Sequence, residues 1–176
     1  MGVFDTPRVH HRAMSYPDPI YHGDTGEVSA RFRKGDLPHD IVYPHGTTVD
    51  YLATGASTDR LFGLYRWNMA PGPGGPQLHF HRTMAESFFV LDGMVTLGDG
   101  AKEVEARAGD YLYVPPGGLH SFKNTTDDPA SFLILFSPGA PREGYFEGLL
   151  EIAEGKQLSP EERDAFFVAH DNIYVD

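Results

Sequence analysis

Two short runs, His79-Phe80-His81-Arg82-Thr83-Met84-Ala85-Glu86 and the stretch from Gly109 through Pro115, Gly117 and His120 to Asn124, restrict this chain more than any other feature, because together they offer three imidazoles and one carboxylate. Side chains alternate faces along a strand, so His79 and His81 project to one side about 7 Å apart, within reach of a single ion. Glu86 lies an odd number of residues from His81 and would face away on an unbroken strand, so residues 82–85 must turn or bulge before the next strand begins. His120 must arrive from a different strand, and a barrel is the arrangement on which four such residues converge.

The rest of the chain reads accordingly. From Ile41 onward, short β-type runs at 47–53, 61–69, 77–81, 87–91, 94–97, 103–107, 111–114, 121–123 and 131–136 alternate with turn residues, the even spacing of a closed barrel or sandwich. Asp92-Gly93 and Asp99-Gly100 are dipeptides that tight hairpins prefer, which puts Leu91 and Val95 near opposite ends of one hairpin. After Pro138-Gly139 the period becomes helical: Tyr145, Phe146, Leu149, Leu150 and Ala153 form one stripe that Gly155 is placed to end. Ser159, Pro160 and Glu162 signal a second helix as N-cap, N1 and capping-box residue. Both helices are expected on the outside of the barrel. Residues 1–40 show no sustained period and read as an irregular arm with a short strand at 28–32. The expected layout is thus an all-β protein with an arm (1–40), a β-barrel (41–138) and a C-terminal helical extension (139–176).

At 176 residues without cysteine, the chain reads as one domain that has neither disulfides nor a thiolate site, so a bound metal must rely on nitrogen and oxygen. The formal net charge of −11 opposes approach to phosphate backbones and anionic bilayers, so neither nucleic acid nor membrane is an expected partner. No charged n-region precedes an apolar stretch and no apolar run is long enough to span a bilayer, and the expected location is cytoplasmic. His10, His11, His22, His39, His45 and His170 have no spacing that encodes a site.

Three neutral histidines and one glutamate suit Fe(II), Mn, Ni, Co, Cu or Zn without choosing among them, and they leave two octahedral positions open, which argues for catalysis over a structural ion. Parity along strands nominates the pocket: Gln77 shares a face with His79, Phe88 and Val90 with Glu86, and Phe122 with His120. Leu61, Gly63, Tyr65 and Trp67 share a face opposite Phe62, Leu64, Arg66 and Asn68, and bulk alone does not say which face is inside. Arg66, if inside, would select an anionic substrate. Glu86 doubles as a carboxylate able to take a proton from a substrate hydroxyl.

These residues resemble the cupin superfamily. Its first motif is met by His79, His81, Glu86 and Gly93, with Pro73 where the opening glycine stands, and its second in full by Gly109, Pro115, Gly117, His120 and Asn124. The resemblance implies a double-stranded β-helix, or jelly-roll barrel, and a homodimer paired through sheet edges. The single unit followed by an apolar helix is similar to the quercetinase-like cupins. That likeness implies a metal-dependent dioxygenase acting on a small enolisable or phenolic, flavonol-like molecule with Glu86 as base. Metal-dependent isomerase, lyase or cyclase chemistry, or non-catalytic small-molecule binding, stands as the alternative.

Overall fold

The computed structural model describes residues 16–72 and 74–175, and the chain divides into two units, Met1–Arg33 and Lys34–Asp176. In the first unit the described residues make bends but no strand. The strand expected at 28–32 does not form: Val28 and Phe32 are exposed, and the unit offers no second strand among its described residues for a ladder. His10 and His11 lie outside the described residues.

The second unit runs β1 (Ile41–Val42), β2 (Thr48–Ala53), β3 (Gly63–Met69), β4 (His79–Phe80), β5 (Ala85–Asp92), β6 (Met94–Gly98), β7 (Glu103–Arg107), β8 (Tyr111–Val114), β9 (Ser121–Lys123), β10 (Ala130–Ser137), α1 (Glu143–Ala153), α2 (Pro160–Ala169) and β11 (Ile173–Tyr174). One antiparallel sheet has the order β1-β2-β3-β10-β5-β8. The other is built on β7-β6-β9. Bridges Gly74↔Asn124 and His79↔His120 bring the segment with β4 alongside the β9 segment, and β11 pairs with β4. Aromatic rings close the space between the sheets: Phe122 of β9 stands 5.8, 5.5 and 5.3 Å from Trp67, Phe88 and Phe132. This is the cupin jelly roll, predominantly β with two helices.

Turn chemistry explains one departure from expectation. Asp99-Gly100 does close the hairpin between β6 and β7, with the Asp99 carboxylate accepting hydrogen bonds from the amides of Ala101 and Lys102. Asp92-Gly93 does not close a hairpin, because β5 pairs with β10 and β8 while β6 pairs with β7 and β9. It is a corner at which the chain leaves one sheet for the other. Gly93 is needed there on two counts: its φ is +72°, and a Cβ would sit 2.5 Å from the Pro129 carbonyl oxygen.

Helix α1 sits differently from the exterior position expected of it. Tyr145 and Phe146 of α1 are buried in the core, and the Phe146 ring lies 5.1 Å from Tyr65 and 5.4 Å from Trp67. Burial of one such ring contributes about 2–3 kcal/mol. That packing settles the face of β3: Gly63, Tyr65, Trp67 and Met69 point inward, and Leu64, Arg66 and Asn68 point to the other side. α2 begins with the capping box of Ser159 and Glu162 and Pro160 at its first turn, and Phe166 stacks on Tyr145 at 5.6 Å. Among the described residues no helix is long and apolar enough to cross a membrane.

Candidate metal centre

His79 opens β4, His81 lies just beyond its end, Glu86 is the second residue of β5, and His120 directly precedes β9. Reciprocal amide-to-carbonyl bonds of 3.0 and 2.9 Å join His79 to His120, and Gly117 N donates to His81 O at 2.7 Å. The bend at Arg82 and Thr83 that restores Glu86 to the histidine face is held from outside: the Asp171 carboxylate accepts from both amides and from the Thr83 hydroxyl.

All four side chains are buried, and one donor atom from each lies within 4.8 Å of the others. Donors held about 2.0–2.2 Å from one ion stand up to about 4.4 Å apart, so the cluster would tighten only slightly around it. The imidazole orientations fit an ion as well. His79 Nδ1 faces the Gln77 carbonyl at 2.9 Å, His81 Nδ1 that of Asp171 at 2.5 Å, and His120 Nδ1 that of Gly118 at 3.0 Å. A carbonyl oxygen only accepts, so every Nδ1 carries the proton and Nε2 is left with its lone pair. The Nε2 atoms of His81 and His120 nevertheless stand 2.8 and 2.7 Å from one oxygen of Glu86, Oε2. Acceptors that close require positive charge among them, either extra protons or a cation.

Electrostatics at the cluster run in opposite directions. Burial, then the neighbouring His120, hold His79 down at about 3, so it is neutral at ordinary pH. Burial would raise Glu86, but hydrogen bonds from His120 and His81, whose Nε2 atoms supply the extra protons when no cation is bound, outweigh it and hold the carboxyl below its usual range. Burial would lower His120, and its bond to Glu86 overcomes that and raises it.

His79 and Glu86 form part of the wall of a cavity of about 850 Å³, with Tyr43, Trp67, Gln77, Phe122, Arg142 and Tyr145 among its other lining residues. Of the residues nominated by parity, Gln77 and Phe122 line it. Phe88 and Val90 are buried in the packed core and do not. Arg66 is on the opposite face of β3, away from the cavity, because Trp67 and Tyr65 take the inward positions against α1. The buried cation in the wall is Arg142, just before α1, and β11 adds Tyr174, whose ring is 5.4 Å from His79. Neither carried a periodic signal. His39 bonds Asp50 at 2.6 Å, and His45 stacks on Tyr43 at the cavity.

Residues 65–136 match the protein-family model described as Cupin domain. The quercetin 2,3-dioxygenase of Bacillus subtilis (strain 168) is 33% identical over 54 residues, which cover 30% of this chain and 16% of that protein. The oxalate-binding protein of Thermotoga maritima is 33% identical over 76 residues, covering 43% of this chain and 60% of that one. The chain therefore spans less than two thirds of either relative. Among solved structures, the polyketide cyclase RemF from Streptomyces resistomycificus superposes with a TM-score of 0.51 at 24% identity, over 61% of this chain and 78% of its own, a likeness of fold.

Proposed function

Residues 65–136 are a cupin domain, and from that premise we propose that the chain is a metal-dependent enzyme, a dioxygenase acting on a small enolisable or phenolic molecule of the flavonol kind. The observation that carries the reading is the buried cluster of one carboxylate and three histidines whose Nδ1 atoms each face a backbone carbonyl, opening onto an aromatic cavity. The stretch shared with a quercetin 2,3-dioxygenase supports the substrate class.

A divalent transition ion held by His79, His81, Glu86 and His120 would supply Lewis acidity and, when redox-active, one-electron chemistry toward dioxygen. The carbonyls of Gln77, Asp171 and Gly118 keep the three rings from turning, so the donors are set before anything binds. Both histidine bonds to Glu86 fall on Oε2, which leaves Oε1 to receive the proton of a substrate hydroxyl. Trp67, Phe122 and Tyr43 offer flat apolar surface to an aromatic ring and exclude water from the proton transfer.

The test is metal content of untagged protein prepared without chelator, followed by oxygen-electrode assays of each metal-loaded form with a flavonol panel. About one ion per chain with substrate-dependent oxygen uptake is expected. No uptake with Fe, Mn, Ni, Co or Cu loaded refutes the dioxygenase. The longer match to an oxalate-binding protein favours a second reading, a cupin that holds a small acid without altering it. A ligand recovered unchanged after incubation with the loaded protein would decide for it, and turnover by the zinc form without oxygen would decide for isomerase, lyase or cyclase chemistry.

A further inference from the structure

Arg142 is the one cation of the cavity wall that is buried, with 4% of its surface exposed. Among the described residues no carboxylate stands within ion-pairing distance of it. Nη1 donates to the His170 carbonyl at 2.6 Å and Nη2 to the Asn172 side-chain oxygen at 2.9 Å. Nε is buried and has no acceptor. The rings of Tyr145, Phe136 and Phe146 surround the guanidinium at 4.3, 4.9 and 5.7 Å, which eases its burial without neutralising it. A buried charge left uncompensated costs several kcal/mol, a cost that an anion received beside it would offset.

The other charges at the cavity offset it only at a distance: Glu86 favours the charged guanidinium, yet its Oε2 is already bonded to His81 and His120. Arg163 and Asp164 are both exposed and offset one another. A divalent ion on the histidine cluster would add two positive charges to the same space. The second buried unpartnered donor in the wall is Trp67 Nε1. Two donors, no spare acid and an aromatic lining together describe a receptor for a flat molecule that brings acceptors and negative charge.

We propose that Arg142, from the segment between barrel and helix, selects an anionic aromatic substrate for this cavity, a carboxylate or phenolate seated against its guanidinium. The proposal rests on the cavity being the substrate site of the enzyme proposed above. It assigns to Arg142 the selectivity that sequence parity had offered to Arg66.

Benzoate and benzamide share a shape and differ in charge, and Trp67, the one tryptophan of the chain, reports binding at the wall through its fluorescence. Metal-free wild-type protein is expected to bind benzoate at least about tenfold more tightly than benzamide, the difference a charge-assisted hydrogen bond makes. Arg142→Met should erase the preference and Arg142→Lys should keep part of it. Should the variants fail to fold, the Arg142 Nε–H resonance of the 15N-labelled wild type must shift with benzoate and not with benzamide. Benzoate binding no tighter than benzamide, absence of binding by either, a preference surviving in Arg142→Met, or an unmoved Nε–H resonance overturns the proposal. One zinc per chain with no anion preference would sink this inference and leave the metal reading standing; anion preference without zinc binding would do the reverse.

Discussion

The Nδ1 atom of His81 lies 2.5 Å from the backbone carbonyl oxygen of Asp171, a residue 90 positions further along the chain. The same Asp171 uses its carboxylate to hold the amides of Arg82 and Thr83. Through these two groups, one residue after α2 orients a histidine of the cluster and shapes the bend that returns Glu86 to it. Asp171 does this from a φ of +56°, in the left-handed region where aspartate and asparagine are tolerated better than other side chains.

Asp171→Ala should therefore weaken zinc affinity about tenfold or more, the usual cost of losing a partner behind a metal ligand, and should add about 1 kcal/mol of backbone strain. Asp171→Asn keeps both the tolerated backbone and an accepting oxygen, so its loss should be smaller. Competition against a coloured chelator measures both, and equal affinity in wild type and Asp171→Ala would disprove the link.

Glu86→Gln preserves shape and removes the proton acceptor. It should retain substantial metal while turnover falls by about a hundredfold or more. His79→Ala should lose metal and turnover together, since it removes a donor whose Nδ1 is already committed to Gln77 O. Elemental analysis beside oxygen uptake separates the two, and a Glu86→Gln protein with full activity would remove Glu86 from the chemistry.

Acid should destabilise the metal-free protein, and His79 gives the sign. Its folded value of about 3 lies below the ordinary 6.5, so the unfolded chain takes up a proton that the folded chain refuses. Stability from this group is complete above pH 6.5 and is lost as pH falls toward 3, amounting to about 2 kcal/mol by pH 5. Glu86, held low by its histidine bonds, adds a loss in the same direction below the ordinary carboxylate range. His120 is raised and works the other way, stabilising at low pH and losing that contribution as pH rises through its folded value. Between pH 7 and 5 the Tm of wild type should thus fall more steeply than that of His79→Gln; parallel slopes would contradict the assignment.

Phe146→Ala should cost about 3–5 kcal/mol, because the ring is buried between Tyr65, Trp67 and Tyr51 and these neighbours belong to rigid strands. Urea titration followed by Trp67 fluorescence would register it as a lower midpoint at unchanged slope. A cost under about 1 kcal/mol would mean that α1 is peripheral to the core after all.

How much of this was legible follows from which interactions are local. Alternation and turn residues carry strand positions, so the runs at 103–107, 111–114 and 121–123 coincide with β7, β8 and β9. Asn124, the last residue of the second motif, donates to Ala70 O and Asp128 O while accepting from Thr126 N. Asp92-Gly93 has the local chemistry of a hairpin, yet partner choice is decided by strands far away in sequence, and the dipeptide serves a corner instead. The inward face of β3 was undecidable because both faces carry bulk, and the deciding contact, Phe146, comes from a helix with no sequence link to that strand. Arg142 and Asp171 escaped notice for the same reason. Each is a single charged residue at a helix end, where exposure is the ordinary expectation, and each is committed only by tertiary contacts.

The pairing of β11 with β4 gives the centre a place in time. Tyr174 lies opposite His79, so the last of the described strands is laid beside one of the first residues of the cluster. During synthesis β1 to β10 can pair before α1 is made, but the carbonyl that orients His81 and the segment that walls His79 arrive only with the final stretch. Closing such a distant contact is a late, slow event. A nascent barrel would therefore hold the His79 and His120 rings on the nearby Gln77 and Gly118 carbonyls, while the His81 ring gains its partner only once the C-terminal segment has docked.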